Sequence, residues 1–391
     1  MPEEKMRMYQ IKLLNKISKE GLSHLGEGFG FTDENPDAII VRSEDMQSYE
    51  FNDNLLTIAR AGAGVNNIPI PRCSEAGICV FNTPGANANA VSELVICSLL
   101  LASRKIVESI EWCKSLAGDP DALAKAEKGK KQFVGPEIAG KTLGIIGLGK
   151  VGVLAANAAV DLGMHVLGYD PYLSVESAWG LARRVQKAAG YEEIFANSDY
   201  ITIHAPLTDE TKNMINAETI AKMKDGVRII NLARGGLVNN DDMKAALASG
   251  KVAKYVTDFG TGDIIGTENV IALPHLGAST PESEENCAVM ASEEVAAYLN
   301  DGIIRNSVNL PNFDTPRDGL VRIAIINRNT PNMLGQITSV LSASKINIEH
   351  MFNRARKDYA YTVIDTTSVP SSACVDVLKA IDGVLRVRVI K

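Results

Sequence analysis

Short apolar runs separated by polar stretches and glycines recur along the first 85 residues. Such runs predict buried strands of a parallel sheet, joined by helices and loops. The predicted strands of this segment cover residues 9–14, 38–42, 56–60 and 78–82. Thr83, Pro84 and Gly85 break the pattern. The apolar stretch that follows, from about residue 88 to 116, predicts one long helix buried on several sides.

Strand and helix patterns alternate regularly from residue 140 to about 276. Six strands are predicted, at residues 142–146, 165–169, 200–204, 228–231, 253–258 and 270–273. Strands alternating with helices are typical of a doubly wound parallel sheet. A helix from about 281 to 300 is then expected to return the chain to the first segment.

The last 72 residues have a different order of predicted strands and helices. The order is strand, helix, two strands, helix and strand, which predicts a ferredoxin-like unit after a linker at 311–318. The predicted fold is therefore α/β with three parts: a Rossmann-type doubly wound sheet (87–281), a discontinuous flavodoxin-like substrate domain (1–86 with 282–312) and a ferredoxin-like βαββαβ C-terminal domain (319–391).

Composition narrows the class of protein. A chain of 391 residues is too long for one ordinary core. Its net charge of −7 does not indicate the positively charged surface that nucleic-acid-binding proteins have. The longest apolar stretch, residues 90–103, carries Glu93 and is too short to span a membrane. The six cysteines are scattered, and no two histidines have helical metal-ligand spacing, so we predict a cytoplasmic protein with reduced thiols and no metal.

The glycine-rich turn after residues 142–146 is the most informative motif. Gly147, Gly149 and Gly152 lie between a strand and a helix, and the next strand ends in Asp170. Glycines at this place allow backbone N–H groups to approach a pyrophosphate at the positive end of a helix. The carboxylate of Asp170 suits a ribose with free hydroxyls and would repel a 2′-phosphate. NAD is therefore predicted in preference to NADP.

Three further strand ends carry candidate chemistry. Arg234 can grip a carboxylate bidentately, and His275 can take a proton from a hydroxyl as hydride leaves its carbon. Asp258 and Asp263 are the candidate carboxylates that would orient His275. Taken alone, a strand-end arginine is more often a surface ion pair and a histidine beside proline a loop residue. Their occurrence together behind a dinucleotide motif favours catalysis.

Five stretches carry a resemblance to a known family: residues 82–87, 147–152, 204–211, 231–236 and 274–280. They resemble the D-isomer-specific 2-hydroxyacid dehydrogenase family. The tail is similar to an ACT amino-acid-sensing domain, which narrows the resemblance to a member acting on a phosphorylated 2-hydroxy acid.

The resemblance implies roles for particular residues. Arg234 would bind the substrate carboxylate and keto oxygen, and His275 would be the acid/base. Asp263 stands where the family usually places the glutamate partner of the histidine, one methylene shorter. The residues expected to line NAD are Gly147, Gly149, Lys150, Val151, Gly152, Asp170, His204, Pro206, Leu232, Ala233, Arg234, Asp258, His275, Gly277 and Ala278.

The first segment is expected to supply the rest of the substrate site. The implied substrate-binding residues are Arg42, Ser43, Arg60, Ala63, Gly64 and Asn87. The positive charges of Arg42 and Arg60 favour a phosphorylated substrate over glyoxylate or hydroxypyruvate, whose reductases are the nearest alternative. A non-catalytic sensor of NAD and amino acids is the other alternative, although both Arg234 and His275 are retained.

The tail departs from the serine-binding pattern of similar ACT domains. Asn329 and Asn347 match two expected asparagines, but Asn327 replaces a histidine and Asn332 a glycine. An amino-acid effector at Asn327, Asn329 and Asn347 is one expectation. The alternative is that the tail serves only for assembly, because an edge strand can pair with its twin. A homodimer or homotetramer is expected.

Overall fold

The computed structural model describes residues 8–391, and the chain divides into two compact bodies. The first body consists of the residues up to Asn87 together with those from Pro281 onward. The second body is formed by the intervening segment, Ala88–Thr280. Each body has its own parallel sheet.

The first body contains a five-stranded sheet in which every neighbouring pair is parallel. The strand order is β2-β1-β3-β4-β5, the flavodoxin-like order that was predicted. The three-residue edge strand β2 was not predicted. The elements are β1 (Tyr9–Leu13), α1 (Lys19–Ser23), β2 (Phe29–Phe31), β3 (Ala38–Val41), β4 (Thr57–Arg60), α2 (Ile70–Glu75) and β5 (Cys79–Asn82).

The second body is a Rossmann-type doubly wound sheet of seven parallel strands, one more than predicted. The added strand is β8, three residues long and at the sheet edge. The order is β12-β11-β10-β9-β6-β7-β8, so the strand order reverses between β6 and β9. The elements are α3 (Ala88–Ser103), α4 (Ile106–Lys114), α5 (Ala122–Gly129), β6 (Thr142–Ile146), α6 (Lys150–Asp161), β7 (His165–Tyr169), α7 (Val175–Gly180), β8 (Val185–Lys187), α8 (Tyr191–Asn197), β9 (Tyr200–Ile203), α9 (Ala217–Ala221), β10 (Val227–Asn231), α10 (Asn240–Ala248), β11 (Val252–Thr257) and β12 (Val270–Ala272).

The long helix predicted over 88–116 is in fact two helices. α3 is largely buried and packs against α6 and β10, whereas α4 has no buried residue. The chain leaves helical geometry at Lys105, whose ψ is +55°. The polar stretch that follows contains α5 and a short 3-10 helix (Lys130–Phe133).

The chain returns to the first body through α11 (Pro281–Asp301) and ends in an antiparallel four-stranded sheet of order β14-β15-β13-β16. This βαββαβ arrangement confirms the ferredoxin-like prediction. No helix within residues 8–391 is long and apolar enough to cross a membrane. The elements of the tail are β13 (Val321–Arg328), α12 (Met333–Ala343), β14 (His350–Arg356), β15 (Tyr359–Thr366), α13 (Ser372–Lys379) and β16 (Val384–Ile390).

The tail shares one hydrophobic core with the first parallel sheet. Ile11 of β1, Tyr361 of β15 and Ile390 of β16 belong to the same buried cluster, as does Phe313 of the segment expected to be a linker. Arg388 donates from Nη1 and Nη2 to the carbonyl groups at the end of α11, at 3.1 and 2.8 Å. The tail is therefore built into the first body.

Candidate active site

The glycine turn between β6 and α6 forms a cradle that a side chain would fill. Gly147 has φ +92°, and a Cβ there would lie 2.8 Å from the carbonyl of His204. A Cβ on Gly152 would lie 2.1 Å from the carbonyl oxygen of Gly147. A Cβ on Gly149 would meet nothing within 4 Å. The first and third glycines are therefore needed for the fold of the loop, and the second leaves open space in front of α6 that fits a pyrophosphate.

Asp170 follows β7 and holds the glycine turn in place. Its Oδ2 accepts a hydrogen bond from the backbone N–H of Leu148 at 2.8 Å, and its Oδ1 accepts one from Tyr172 at 2.8 Å. A carboxylate can accept about four hydrogen bonds. Lone pairs therefore remain for a ribose, as the predicted role requires.

Further predicted cofactor residues lie near this glycine turn, where the strand order of the sheet reverses. His204, at the end of β9, donates its backbone N–H to Ile146 at 2.7 Å, and its Nε2 lies 3.1 Å from Oγ1 of Thr202. Burial lowers the pKa of His204 to about 4, so the ring is neutral at physiological pH. Pro206 is exposed beyond it, Val151 is half-buried in α6, and Lys150 is paired with Glu176 at 2.6 Å.

Arg234 lies in a turn after β10 that Asn231 organises. The side chain of Asn231 is buried, donates to the carbonyl of Arg234 at 2.8 Å and accepts from Ala233 at 3.2 Å. The Arg234 guanidinium makes one hydrogen bond within the described chain, from Nη1 to the carbonyl of Ala233 at 2.7 Å. Its other N–H groups can bind an anion. Leu232, also in this turn, is buried.

Asp258 and His275 follow the neighbouring strands β11 and β12. Asp258 is 4% exposed, and neither carboxylate oxygen has a hydrogen-bond partner among the described residues. Burial raises the pKa of Asp258, whereas the charges of His275 and Arg234 and the nearby N–H of Gly277 oppose that rise. A Cβ on Gly277 would lie 3.5 Å from Oδ2 of Asp258, and Ala278 beyond it is half-buried.

His275 is exposed and held in an unusual backbone conformation. Its φ is +34°, and its N–H donates to the carbonyls of Asp258 (3.1 Å) and Leu273 (3.2 Å). The imidazole centroid lies 4.6 Å from the ring of Phe259. Non-glycine residues with positive φ are uncommon, and such strain is often found at functional sites.

Asp263, predicted as the orienting carboxylate of His275, has other partners. It accepts hydrogen bonds from Thr261 Oγ1 (2.5 Å), Asn240 Nδ2 (3.3 Å) and Lys244 Nζ (3.4 Å). The hydrogen bond from Thr261 is the main reason that the pKa of Asp263 is lowered. No hydrogen bond or ion pair joins it to His275 in residues 8–391. The exposed loop turns this carboxylate toward α10, and Asp258 is the carboxylate whose charge acts on His275.

In the first body, the predicted substrate residues cluster at the carboxyl ends of β3 and β4. Arg60 pairs with Val41 in the sheet, so Arg42 and Arg60 leave neighbouring strands. Arg42 forms an ion pair with Glu284 of α11 at 2.8 Å. The Oδ1 of Asn15 accepts the N–H groups of Arg42 (2.8 Å) and Ser43 (2.9 Å).

The glycine-rich turn after β4 packs on the arginine that precedes it. A Cβ on Gly62 would lie 2.4 Å from Nη1 of Arg60. The carbonyl of Ala63 accepts a hydrogen bond from Asn82 at 2.6 Å. Gly64 and Asn87 are half-buried.

The three asparagines predicted to bind an effector have separate partners. Asn327 is 1% exposed, donates to the carbonyl of Arg328 at 2.8 Å and accepts from Thr362 at 3.1 Å. Asn329 donates to the carbonyl of Lys357 (3.1 Å), and Asn347 donates to Glu349 (2.7 Å). No hydrogen bond joins the three side chains to one another among the described residues.

Comparisons with known proteins identify the family. Residues 96–277 match the model of D-isomer specific 2-hydroxyacid dehydrogenase, NAD binding domain. The chain is 36% identical over 280 residues to hydroxypyruvate reductase of Thermotoga maritima, which covers 67% of this chain and 85% of that protein. The chain belongs to the D-isomer specific 2-hydroxyacid dehydrogenase family.

Other relatives of this chain are longer. It is 36% identical over 291 residues to D-3-phosphoglycerate dehydrogenase of Archaeoglobus fulgidus, a match that covers 71% of this chain and 52% of the relative. The chain thus spans about half the length of that protein. The NAD+-bound crystal structure of 3-phosphoglycerate dehydrogenase from Entamoeba histolytica superposes with a TM-score of 0.59 at 26% identity, covering 77% of this chain and 98% of that one.

The family assignment confirms the predicted cofactor, because the matched domain is an NAD-binding domain. The glycine cradle and the position of Asp170 fit that cofactor. No group of three His, Cys, Asp or Glu side chains in the described part of the chain is placed to hold a metal ion.

Three residues that support the candidate residues were not predicted from the sequence. Asn15 and Asn231 each follow or end a buried strand and hold the next turn through their side-chain amide. The ring of Phe259 lies 4.6 Å from the imidazole of His275, tilted by 49°. An asparagine at or just after the end of a predicted strand is the sequence signal that could have indicated the first two.

Proposed function

We propose that this chain oxidises D-3-phosphoglycerate to 3-phosphohydroxypyruvate with NAD, the first step of serine biosynthesis. The observation that carries the proposal is the placement of Arg234, Asp258 and His275 after the neighbouring strands β10, β11 and β12. Ligands of doubly wound sheets bind outside the carboxyl ends of the strands, where these side chains lie.

The chain supplies three functions in this reaction. The guanidinium of Arg234 binds the substrate carboxylate and keto oxygen through its remaining N–H groups. The exposed imidazole of His275 takes the proton of the 2-hydroxyl and returns it in the reverse reaction. The glycine turn of residues 147–152 and Asp170 would hold NAD, which would supply the acceptor for the hydride of C2.

Asp258 assists His275 through its charge. The imidazolium formed when His275 takes the proton is stabilised by a nearby carboxylate in a water-poor environment. Neither carboxylate oxygen of Asp258 has a hydrogen-bond partner among the described residues, and the charges of His275 and Arg234 both act on this carboxyl group. Asp263 is the second candidate for this role, on family resemblance alone.

Arg42 and Arg60 are proposed to contact the phosphate. Both leave neighbouring strand ends, and both charges are felt by the buried thiol of Cys287, which places them on the same side of the first body. When a phosphate binds, Arg42 would have to contact it in addition to Glu284 or in place of Glu284. Ser43, Ala63, Gly64 and Asn87 complete the proposed contacts.

A hydroxypyruvate reductase is the second candidate, because the Thermotoga maritima relative is matched over most of its length. NADH oxidation with 3-phosphohydroxypyruvate and with hydroxypyruvate, at matched concentrations, separates the two. We expect a large preference in kcat/KM for the phosphorylated ketone, and a selective loss of that preference in Arg60→Gln. Equal rates on both ketones would favour the reductase, and no turnover of either would leave an NAD-binding sensor.

Assembly and location are also proposals. β14 is an exposed edge strand of the tail, and its free edge can pair with a second copy to give a homodimer or homotetramer. The exposed Asn329 and Asn347 lie beside this sheet and could take part in an amino-acid site completed by a second copy. All six cysteines are unpaired, which supports a reducing, cytoplasmic environment.

A further inference from the structure

The phenyl ring of Phe259 packs against the imidazole of His275. The centroids of the two rings are 4.6 Å apart, and their planes are tilted by 49°. Contacts between aromatic rings are attractive in such tilted or offset arrangements. Phe259 is half-buried, whereas His275 is exposed. The phenyl ring therefore covers part of an imidazole that is otherwise open to solvent.

No hydrogen bond holds this imidazole in one orientation. In the described part of the chain, neither ring nitrogen of His275 has a hydrogen-bond partner, and the two hydrogen bonds of this residue are donated by its backbone N–H. Asp258 acts on the ring through its charge, and Asp263 is engaged elsewhere. A hydrogen bond to one nitrogen usually sets the orientation and the tautomer of a functional histidine. Packing against Phe259 is the restraint on the ring that the structure shows.

Phe259 also packs against the turn that carries Arg234. A Cβ on Gly235 would lie 3.3 Å from Cβ and 3.9 Å from Cγ of Phe259. The base of this side chain is therefore close to the neighbour of the proposed carboxylate-binding arginine, and its ring is in contact with the proposed proton carrier. One residue thus lies between two groups that must contact the same substrate.

The backbone of Phe259 is itself held in place. Its N–H donates to Oγ1 of the buried Thr257 at 3.1 Å. It also forms an antiparallel bridge with Pro274, the residue before His275. The ring therefore has a defined place beside the imidazole, as a positioning role requires.

We propose that Phe259 is a positioning residue, which holds the imidazole of His275 in the orientation that proton transfer to the ketone oxygen requires. The inference rests on the proposed role of His275 as the acid/base. Asp258 supplies charge and the next residue supplies orientation. An imidazole that rotates freely spends less time aligned with the substrate, so loss of the phenyl group should slow the chemical step without weakening substrate binding.

Phe259→Leu tests this role, because leucine keeps Cβ and Cγ, the atoms nearest to Gly235, and removes the ring that contacts His275. The measurement is single-turnover oxidation of bound NADH with the ketone that the native chain prefers. The rate at saturating ketone should fall about tenfold. The ketone concentration that gives half of this rate should not change, because the turn of Arg234 keeps its support. Phe259→Tyr keeps a ring at this place and should retain most of the native rate.

Phe133→Leu is the matched control. Phe133 is also half-buried, and its ring is tilted by 48° against that of Trp112 at 5.4 Å, but this partner is not a candidate residue. The control variant should turn over at the native rate. An equal loss of rate in the two leucine variants, or a native rate in Phe259→Leu, overturns the proposal.

Nuclear magnetic resonance separates the positioning role from the proposed reaction. The chain has five histidines, so isotope labelling of histidine gives few imidazole signals, and His275→Gln assigns that of His275. In Phe259→Leu this signal should move toward that of the exposed His350 and relax as a more mobile ring. A moved signal in a protein that reduces neither 3-phosphohydroxypyruvate nor hydroxypyruvate would refute the reaction and still support the positioning of the ring. An unmoved signal overturns the positioning role whatever the activity.

Discussion

The backbone N–H of His275 donates to the carbonyl of Asp258 at 3.1 Å, which ties the proposed proton carrier to a buried carboxylate. This relationship suggests which acid assists the histidine, since the other candidate, Asp263, is engaged with Thr261, Asn240 and Lys244.

Asp258→Asn should lower the activity of the protein and raise its stability. Reduction of the ketone requires a proton from His275, and the nearby charge stabilises the imidazolium, so its loss should lower kcat/KM at neutral pH by about tenfold or more. Because burial raises the pKa of Asp258, ionisation opposes folding as pH rises through that pKa. The variant should therefore be more stable than the native chain at neutral pH, measured by urea unfolding.

Asp263→Asn is the matched control. We expect its pH–rate profile to coincide with that of the native chain, because its partners lie on α10 and in its own loop. A shifted profile here, with none in Asp258→Asn, would return the role of orienting carboxylate to Asp263.

The placement of the candidate residues in the second body was predictable because each lies close to a predicted strand in the sequence. The glycines, Asp170, Arg234 and His275 each lie within a few residues of an apolar strand, and parallel strands bring such ends together. The choice between Asp258 and Asp263 was not predictable, because it depends on how a five-residue loop turns. β2 and β8 were missed because three-residue edge strands carry too little apolar pattern to be recognised.

Two glycines of the cofactor turn should behave differently when changed to alanine. Gly152→Ala places a Cβ 2.1 Å from the Gly147 carbonyl, so it should destabilise the fold by about 1–3 kcal/mol and also weaken NAD binding. Gly149→Ala meets no atom of the chain, so it should leave the melting temperature unchanged while raising the KM for NAD. Thermal unfolding and NAD titration of both variants measure this. Equal effects on the melting temperature would contradict the assigned roles.

Glu294 should make the first body less stable as pH rises. Its pKa is raised from an ordinary value near 4.5 to about 8, so the folded state binds the extra proton between these values and loses stability across that range. At about 1.4 kcal/mol per pKa unit, the loss should reach a few kcal/mol. Urea unfolding from pH 5 to 8 should show a smaller decline for Glu294→Gln. Parallel curves for the two proteins would mean that this carboxyl ionises normally.

A mutation that breaks the contacts of the tail with the rest of the first body should lower the stability of the whole body. Arg322 is fully buried, pairs with Asp365 at 2.7 Å and donates to the carbonyls of Asp301 and Thr315 at 2.7 and 3.0 Å. Arg322→Met leaves Asp365 buried without its partner and should lower the free energy of unfolding by about 3–5 kcal/mol.

The double variant Arg322→Met/Asp365→Leu should recover much of that loss, because it removes the uncompensated charge. Arg184→Met, at an exposed pair 3.6 Å long, is the control and should change nothing measurable. A similar small effect at Arg322 would show that the tail is only loosely attached.

The packing of the tail was not predictable from sequence. Its strands and helices follow clear periodicities, but the contacts of Arg388 and Arg386 are made to main-chain carbonyls far away in sequence, at Tyr298 and Ala76. A main-chain carbonyl can belong to any residue type, so the sequence does not reveal these contacts. A tail packed into the first body and a tail joined to it only by a linker therefore give the same sequence pattern.

The first body takes its core from both ends of the chain, with Ile11 and Ile390 in one buried cluster. During synthesis, the segment 88–280 emerges whole and can fold while translation continues, whereas the body that began first must wait for the last strand. The ribosome therefore completes the two bodies in the reverse of the order in which it starts them, and the early strands stay without their final partners until β16 has been made.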